Sequence, residues 1–364
     1  MKILHVINTA EVGGGGEHLL HLTQGLMAHG LTNAVVVGRP GPAATRLRDA
    51  GMTVLALGTM GVGAPRAVRG LLRTLSPDVL HLHGSRSGLV GVLAAQDHRL
   101  LPIVYTAHAF SFRRKVAAPL RWVFARLESL TCRRARRVIC LTRADLDAAR
   151  RVGIDTARFV VIPNGIDLSR FPATSNRRAE FSIPKEALVV GLVARLVPQK
   201  DPLRFVEMAA AVARAVPAAR FLLVGDGPLR RVVEEAVRSR GLDGKLSVTG
   251  FRPDVPELLA TMDVFVLTSA WEGLPIAVLE AMAAGQAVVV PPLPGIDEVV
   301  DDGRTGIIAN GRDPTILAAA VEALGHDQRR RRTLGEAARR RIEDQFTVAR
   351  MADATATVYR DLVR

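Results

Sequence analysis

Cysteine is almost missing: Cys132 and Cys140 are the only two in 364 residues, with seven residues between them. That spacing makes no paired-cysteine metal motif and no disulfide framework, so a reduced, cytoplasmic setting is expected. Aromatic residues make up only 4% of the chain, too few for the stacking platforms of a nucleic-acid binder, and no such motif occurs. Long apolar runs are lacking too. The best candidates are broken by Glu280, glycine or proline before reaching the ~20 residues a membrane span requires. The first strand-like run begins at Lys2, which predicts no cleavable leader. Internal repeats and low-complexity tracts are absent as well, so a soluble protein is expected.

What is present is an ordinary globular balance, 48% hydrophobic and 23% charged, in a chain long enough for two domains with cores of their own. The net charge of +14 is placed unevenly. Residues 1–180 hold 25 Lys+Arg against 11 Asp+Glu, whereas residues 181–364 hold 24 of each. The basic half points to a polyanion: nucleic acid, a membrane surface or a phosphorylated acceptor. An arginine-rich source would inflate the same number without function.

Short β-branched runs alternate with helical stretches, the pattern of parallel sheets flanked by helices. Strands are expected at 2–7, 34–38, 53–57, 79–83, 103–108, 138–142 and 159–163, then at 189–194, 221–225, 246–250, 264–269, 287–290 and 306–309. The polar stretch 171–187, with Pro172 and Pro184, is the expected linker between a domain at 1–170 and another at 188–346. Residues 347–364 read as a terminal helix.

The densest chemical signal runs from Trp271 to Gly285. Glu272 and Glu280 stand eight apart in a segment otherwise apolar between Gly273 and Ala284. Eight residues is a little over two helical turns, so both carboxylates can share a side. A carboxylate in apolar surroundings is costly unless something pairs with it, and sugar hydroxyls would serve; a surface Glu beside a neutralised one is the plainer alternative. Upstream, Arg195 and Lys200 follow a strand-like run and offer two cations to a diphosphate. In the other half, Gly13-Gly14-Gly15-Gly16-Glu17 lies between the first strand and a helical run starting at His18. Glycine amides at a helix start can receive phosphate, although no Lys-Ser/Thr follows as in a Walker loop. His108 closes the strand-like Tyr105-Thr106-Ala107, and His81 and His83 alternate on another strand end, where one can face a cleft but core or structural roles are expected for both. Asp145-Leu146-Asp147 follows Thr142 at a helix start and reads as capping rather than a metal site.

Together these segments resemble the retaining nucleotide-sugar glycosyltransferases of family 4, with the GT-B fold. The resemblance implies two Rossmann-like α/β domains facing each other across a cleft, with the terminal helix crossing back to the first. Glu272-x7-Glu280 is similar to the family's Glu-x7-Glu motif, which implies that Glu272 touches the donor sugar and Glu280 the ribose. Gly273, Leu274, Pro275 and Ile276 line the same stretch. Arg195-x4-Lys200 is similar to the diphosphate-gripping pair, with Asp201 where the family often has Gly. Tyr105-Thr106-Ala107-His108-Ala109-Phe110 is similar to the motif of capsule and exopolysaccharide enzymes, with Ala109 in place of Gly; it implies that His108 lies beside the donor sugar. Gly15 and Gly16 fall in the family's diphosphate loop. Gly225 matches a turn near the nucleotide, Arg252 a segment that presents backbone to the base, and Asn164-Gly165 a turn entering the interdomain crossing. Pro294 replaces the first Gly of a further family motif.

The implied activity is retaining transfer of a hexosyl group from a nucleoside diphosphate sugar, a uridine donor being favoured over guanosine diphosphate mannose. The acceptor would be a lipid-linked or other glycan hydroxyl, with no cofactor and no metal. Residues 113–137 carry nine Arg/Lys against Glu128 alone, and Val116, Leu120, Val123, Phe124, Leu127 and Leu130 recur at helical spacing beside Trp122. The stripe is expected to pack on the sheet while the cations hold the protein peripherally on an anionic inner membrane face. The rival readings are a nucleic-acid-binding protein, a non-catalytic lipid-binding relative and a hydrolysing sugar-nucleotide epimerase of the same fold.

Overall fold

The computed structural model describes residues 1–11, 13–113, 117–172 and 177–363. A seven-stranded sheet is built from β1 (Lys2–Thr9), β2 (Thr32–Arg39), β3 (Thr53–Ala56), β4 (Val79–His83), β5 (Ile103–Ala107), β6 (Arg137–Cys140) and β7 (Phe159–Val161). A six-stranded sheet follows: β8 (Val189–Val193), β9 (Arg220–Val224), β10 (Leu246–Gly250), β11 (Val264–Val266), β12 (Ala287–Val290) and β13 (Ile307–Ile308). Pairing is parallel throughout, in the orders β3-β2-β1-β4-β5-β6-β7 and β10-β9-β8-β11-β12-β13. Each expected strand segment carries one of these strands. In both sheets the order reverses beside the first strand, at β1/β4 and at β8/β11. The carboxyl ends of the strands at such a reversal are where open α/β sheets bind ligands.

The strands read as continuous apolar runs because helices cover both faces. On one face of the first sheet Leu4, Val6, Leu80, Leu82 and Tyr105 share a core. On the other, Ile3, Val79, Val104 and Ile139 pack with Met351, Ala356 and Tyr359. The second sheet has its own core, centred on Val190, Leu192, Phe221, Leu223, Val264 and Val289.

The chain divides into two compact units, Met1–Gly165 with Val348–Arg364, and Ile166–Thr347. The helix Val348–Val363 thus belongs to the first unit, against the helix Gly14–Ala28. Gly25 makes that crossing possible, since a Cβ there would lie 2.6 Å from the Cβ of Ala352. The second unit starts at Ile166, whose N–H donates to Phe346 O at 2.8 Å. It therefore begins ahead of 171–187, where composition placed the linker. Residues 173–176 lie outside the described residues, and 177–187 is folded onto the second unit. There the Arg178 guanidinium donates to Ala187 O at 2.7 Å and to Asp263 at 3.0 Å, and Ile183 and Ala187 are buried. The polarity of the stretch is that of a surface loop organised by one arginine. No helix among the described residues is long and apolar enough to cross a membrane.

Candidate active site

In the first unit the glycine run is not a loop ahead of a helix: the helix begins at Gly14, four residues earlier than expected. The amides of Gly14 and Gly15 stand at its head, where no carbonyl lies four residues back within the helix. Gly16 is buried, and a Cβ on it would lie 2.8 Å from Ala43 Cβ, so this position needs glycine for packing alone. Gly15 has room, its nearest contact being Ile7 Cδ1 at 3.6 Å. The Glu17 carboxylate accepts from Arg46.

The strand ends beside this helix head carry histidines. His81 is satisfied at both nitrogens, by Tyr359 OH at 2.5 Å and Thr106 Oγ1 at 2.7 Å. This confirms a core role. His83 Nε2 meets His5 Nδ1 at 3.0 Å, and His5 Nε2 meets Asn33 Oδ1 at 3.0 Å. His18 Nδ1 meets Asn164 Oδ1 at 2.8 Å. The half-buried His108 ring stands edge-on to His18 at 4.6 Å and stacks against His83 at 5.6 Å. Burial pulls His5 and His108 down to about 4, and holds His18, His81 and His83 well below the ordinary imidazole value. At neutral pH this is a nest of uncharged rings, so His108 offers a hydrogen bond and not a cation.

The segment bearing His108 is clamped by a buried carboxylate. Glu128 accepts from Ser85 Oγ at 2.5 Å, Tyr105 OH at 2.8 Å, Ser111 N at 3.1 Å and Ser111 Oγ at 2.8 Å. Phe110 and Phe112 stack at 5.0 Å within the core below. Asp145 is also structural: its N–H donates to the capping hydroxyl of Thr142, and its carboxylate accepts from that hydroxyl and from Arg113.

In the second unit the motif residues touch one another. Lys200 Nζ donates to Glu272 Oε1 at 2.5 Å, with the side chains 19% and 8% exposed. The two segments are also joined by Ala270 N to Gln199 O at 2.7 Å, Thr268 Oγ1 to Lys200 O at 2.9 Å and Gln199 Nε2 to Trp271 O at 3.1 Å. Asp201 adopts φ +50°, the left-handed region that glycine would occupy, so the departure from the family's residue keeps the turn. Its carboxylate accepts from Arg204 at 2.8 Å and from Arg312 at 3.4 Å. Arg195 follows β8 and is half-buried. Gly273, Leu274, Pro275 and Ile276 are buried, with Pro275 capping the helix Ile276–Ala283 that carries the buried Glu280. Gly225 lets the turn after β9 lie on the end of β8, since a Cβ there would fall 1.9 Å from Ala194 O. The Arg252 guanidinium is held by Asp254 at 2.6 and 2.7 Å and by Glu180, which raise its pKa and lower theirs. Its charge is engaged within the protein, which leaves its backbone for a ligand.

Residues 12–170 match the model described as Glycosyltransferase Family 4, and residues 174–341 that of Glycosyl transferases group 1. The Escherichia coli UDP-Gal:alpha-D-GlcNAc-diphosphoundecaprenol alpha-1,3-galactosyltransferase is 30% identical over 302 residues, covering 80% of this chain and 78% of that protein. The chain is a family 4 glycosyltransferase. The 2-deoxystreptamine N-acetyl-D-glucosaminyltransferase of Streptomyces fradiae is 29% identical over 90% of this chain and 86% of its own. The crystal structure of Anabaena HepE in complex with UDP and glucose superposes with a TM-score of 0.87 at 23% identity, covering 99% of this chain and 100% of that one. The fold is GT-B, and membership separates this glycosyltransferase from the epimerase reading.

Within the glycosyltransferase, structure joins Lys200 to Glu272 and sets His108 among the histidines of the glycine-rich helix and β4. Sequence reasoning missed His5, His18 and Glu128. The available signal for His18 was its place directly after the glycine run and Glu17; for Glu128, it was the single acid in a basic helix. The apolar stripe of that helix, Ala118–Arg134, requires correction. Leu120, Val123, Leu127 and Leu130 are exposed rather than packed on the sheet, Phe124 does pack against the core, and Glu128, Thr131 and Cys132 face inward. The hydrogen bonds to Glu128 turn the polar side in. Arg113 is engaged with Asp145 and is no surface cation, while Arg114, Lys115 and Val116 lie outside the described residues.

Proposed function

We propose that this glycosyltransferase moves a hexosyl group from a uridine diphosphate sugar to a hydroxyl of a lipid-linked saccharide, with retention of anomeric configuration. The observation that carries the reading is the contact between Lys200 and Glu272. A cation suited to the diphosphate and a carboxylate suited to sugar hydroxyls meet at one point, as recognition of a sugar–phosphate junction requires. The names of the E. coli relative and of the Anabaena complex support a uridine donor, and the former supports a lipid-linked acceptor.

In this reading the bond from the anomeric carbon to the phosphate oxygen breaks as the acceptor oxygen adds on the same face. The acceptor proton passes to the departing phosphate oxygen. Arg195, Lys200 and the amides at the head of the Gly14–Ala28 helix stabilise the growing charge of the diphosphate. Glu272 orients the sugar, Glu280 holds the ribose, and His108 donates or accepts a hydrogen bond at the sugar. The chemistry calls on no metal, so EDTA should leave turnover intact.

Incubation with a panel of nucleotide sugars and an undecaprenyl-linked saccharide tests this. Release of UDP with a retained linkage in the product is expected, and Arg195→Ala should lower the rate by about 10²–10³-fold. Turnover of guanosine diphosphate mannose alone, or of free epimerised sugar, overturns the reading.

The same proposal places the enzyme on an anionic membrane face. Trp122 is 60% exposed beside the exposed Leu120, Val123, Leu127 and Leu130, and the Arg126 guanidinium lies 4.8 Å from the Trp122 ring centre. This is an apolar surface flanked by cations, as an interfacial helix needs. Arg121→Gln with Arg126→Gln should weaken binding to anionic vesicles about 5-fold per charge, given roughly 1 kcal/mol for each cation. Unchanged binding removes the membrane from the account.

A further inference from the structure

The five clustered histidines of the first unit, His5, His18, His81, His83 and His108, fall into two sets. His81 has a partner at each nitrogen, and so does His5, between Asn33 and His83. In contrast, His18 Nε2, His83 Nδ1 and His108 Nε2 are buried with no hydrogen-bond partner. The His18 and His83 side chains are only 4% and 2% exposed.

The surrounding bonds decide what two of those atoms carry. Asn33 Nδ2 donates to Leu31 O at 3.1 Å, so its Oδ1 faces His5 and can only accept. His5 Nε2 therefore bears the hydrogen. A neutral His5 then has a bare Nδ1, which accepts from His83 Nε2, and a neutral His83 is left with a bare Nδ1. Asn164 Oδ1, which faces His18 Nδ1 at 2.8 Å and can only accept, takes the hydrogen of that nitrogen and leaves His18 Nε2 bare. Two unshared electron pairs thus lie buried among rings whose burial keeps them neutral, with a third unpartnered nitrogen on His108. A ring nitrogen from each of the three lies within 4.8 Å of those of the other two.

We propose that His18, His83 and His108 form a three-imidazole site for a divalent transition-metal ion of the zinc class. Three neutral imidazoles with a fourth position left open are a known donor set for zinc, with bonds of about 2.0–2.1 Å. Magnesium and calcium, which take oxygen ligands, do not suit it. The carboxamide behind His18 and the ring behind His83 set tautomer and tilt, as the outer partners of metal-bound histidines do. The group His5, His81 and His83 has the same spacing, but binding there would break one bond of His81, to Tyr359 or Thr106, and one of His5, to Asn33 or His83. One consequence rests on the proposed function: an ion held by His108 Nε2 fixes the ring and the tautomer that it presents to the sugar, so zinc inhibits transfer.

The test uses the metal-free full-length protein, titrated with zinc in competition with a chromophoric chelator and, separately, with cobalt(II). One ion per chain is expected, together with the intense visible bands of four-coordinate cobalt. His18→Ala and His83→Ala should each weaken zinc binding by more than the roughly 10–100-fold lost when an outer partner of a metal ligand is removed, whereas His326→Ala should not. The six-coordinate cobalt spectrum in the unaltered protein overturns the site without recourse to variants. So does zinc binding that persists in folded His18→Ala and His108→Ala proteins. Zinc bound at this site with no loss of transfer keeps the site and removes His108 from the transfer mechanism.

Discussion

The two units share one architecture and differ in how they keep polar groups inside it. In the first, the buried functional groups are imidazoles held neutral by burial, arranged in chains that leave electron pairs unshared. The second instead sets full charges against each other, the buried Glu272 with the half-buried Lys200, and the half-buried Arg252 with Asp254 and the exposed Glu180. Desolvation governs the first and ion pairing the second. The histidine nest of the first unit is thus uncharged, while its buried carboxylates, Glu128 and Asp145, are held by hydroxyls, a backbone amide and Arg113.

Acidification should separate the units most. An unfolded histidine takes its proton near 6.5, whereas folded His5 and His108 take theirs at about 4, so the unfolded chain binds more protons between those values. Stability from the neutral rings is complete above pH 6.5 and is lost as the pH falls toward 4. For two such rings the loss between pH 7.5 and 5 is on the order of 4 kcal/mol in the metal-free protein. Asp254 and Glu180, held low by Arg252, keep their contribution throughout that window. Hydrogen exchange should show β5 losing protection while β12 keeps it; parallel loss in both would break the contrast.

The next effect belongs to the second unit. Lys200→Ala leaves the Glu272 carboxylate buried without its cation and should cost about 3 kcal/mol, read from denaturant midpoints. Adding Glu272→Gln should restore most of it. Strict additivity of the two changes would mean that the pair is not coupled.

A smaller change probes the uncharged network. Tyr359→Phe removes the partner of His81 Nδ1 and should cost about 1–2 kcal/mol, with exchange rising in β4 and the helix Val348–Val363. If β8 and β12 loosen equally, the two units do not hold their polar groups independently.

Local signals were legible and distant partnerships were not. Each strand segment stood out because apolar β-branched runs need cover on both faces. Glu272 and Lys200 were visible as motif residues, but they lie 72 positions apart, and no spacing rule connects them. His18 meets Asn164 across 146 positions, which hid its part in the histidine set. The helix Ala118–Arg134 misled for the same reason. Apart from Phe124, its apolar period marks the exposed side, and Ser85, Tyr105 and Ser111, all from other segments, hold Glu128 inward. The glycine run looked like a loop by composition, although tight packing of Gly16 on Ala43 stabilises a helix there.

The helix Val348–Val363 has a consequence in the order of synthesis. Residues 1–165 leave the ribosome before 166–347, but Tyr359, which is fully buried and closes the hydrogen bond to His81, is made after both. The unit that starts first must wait for the whole of the other to be translated before its core can close. A lesion in the helix Val348–Val363 is therefore an injury to the unit built on residues 1–165.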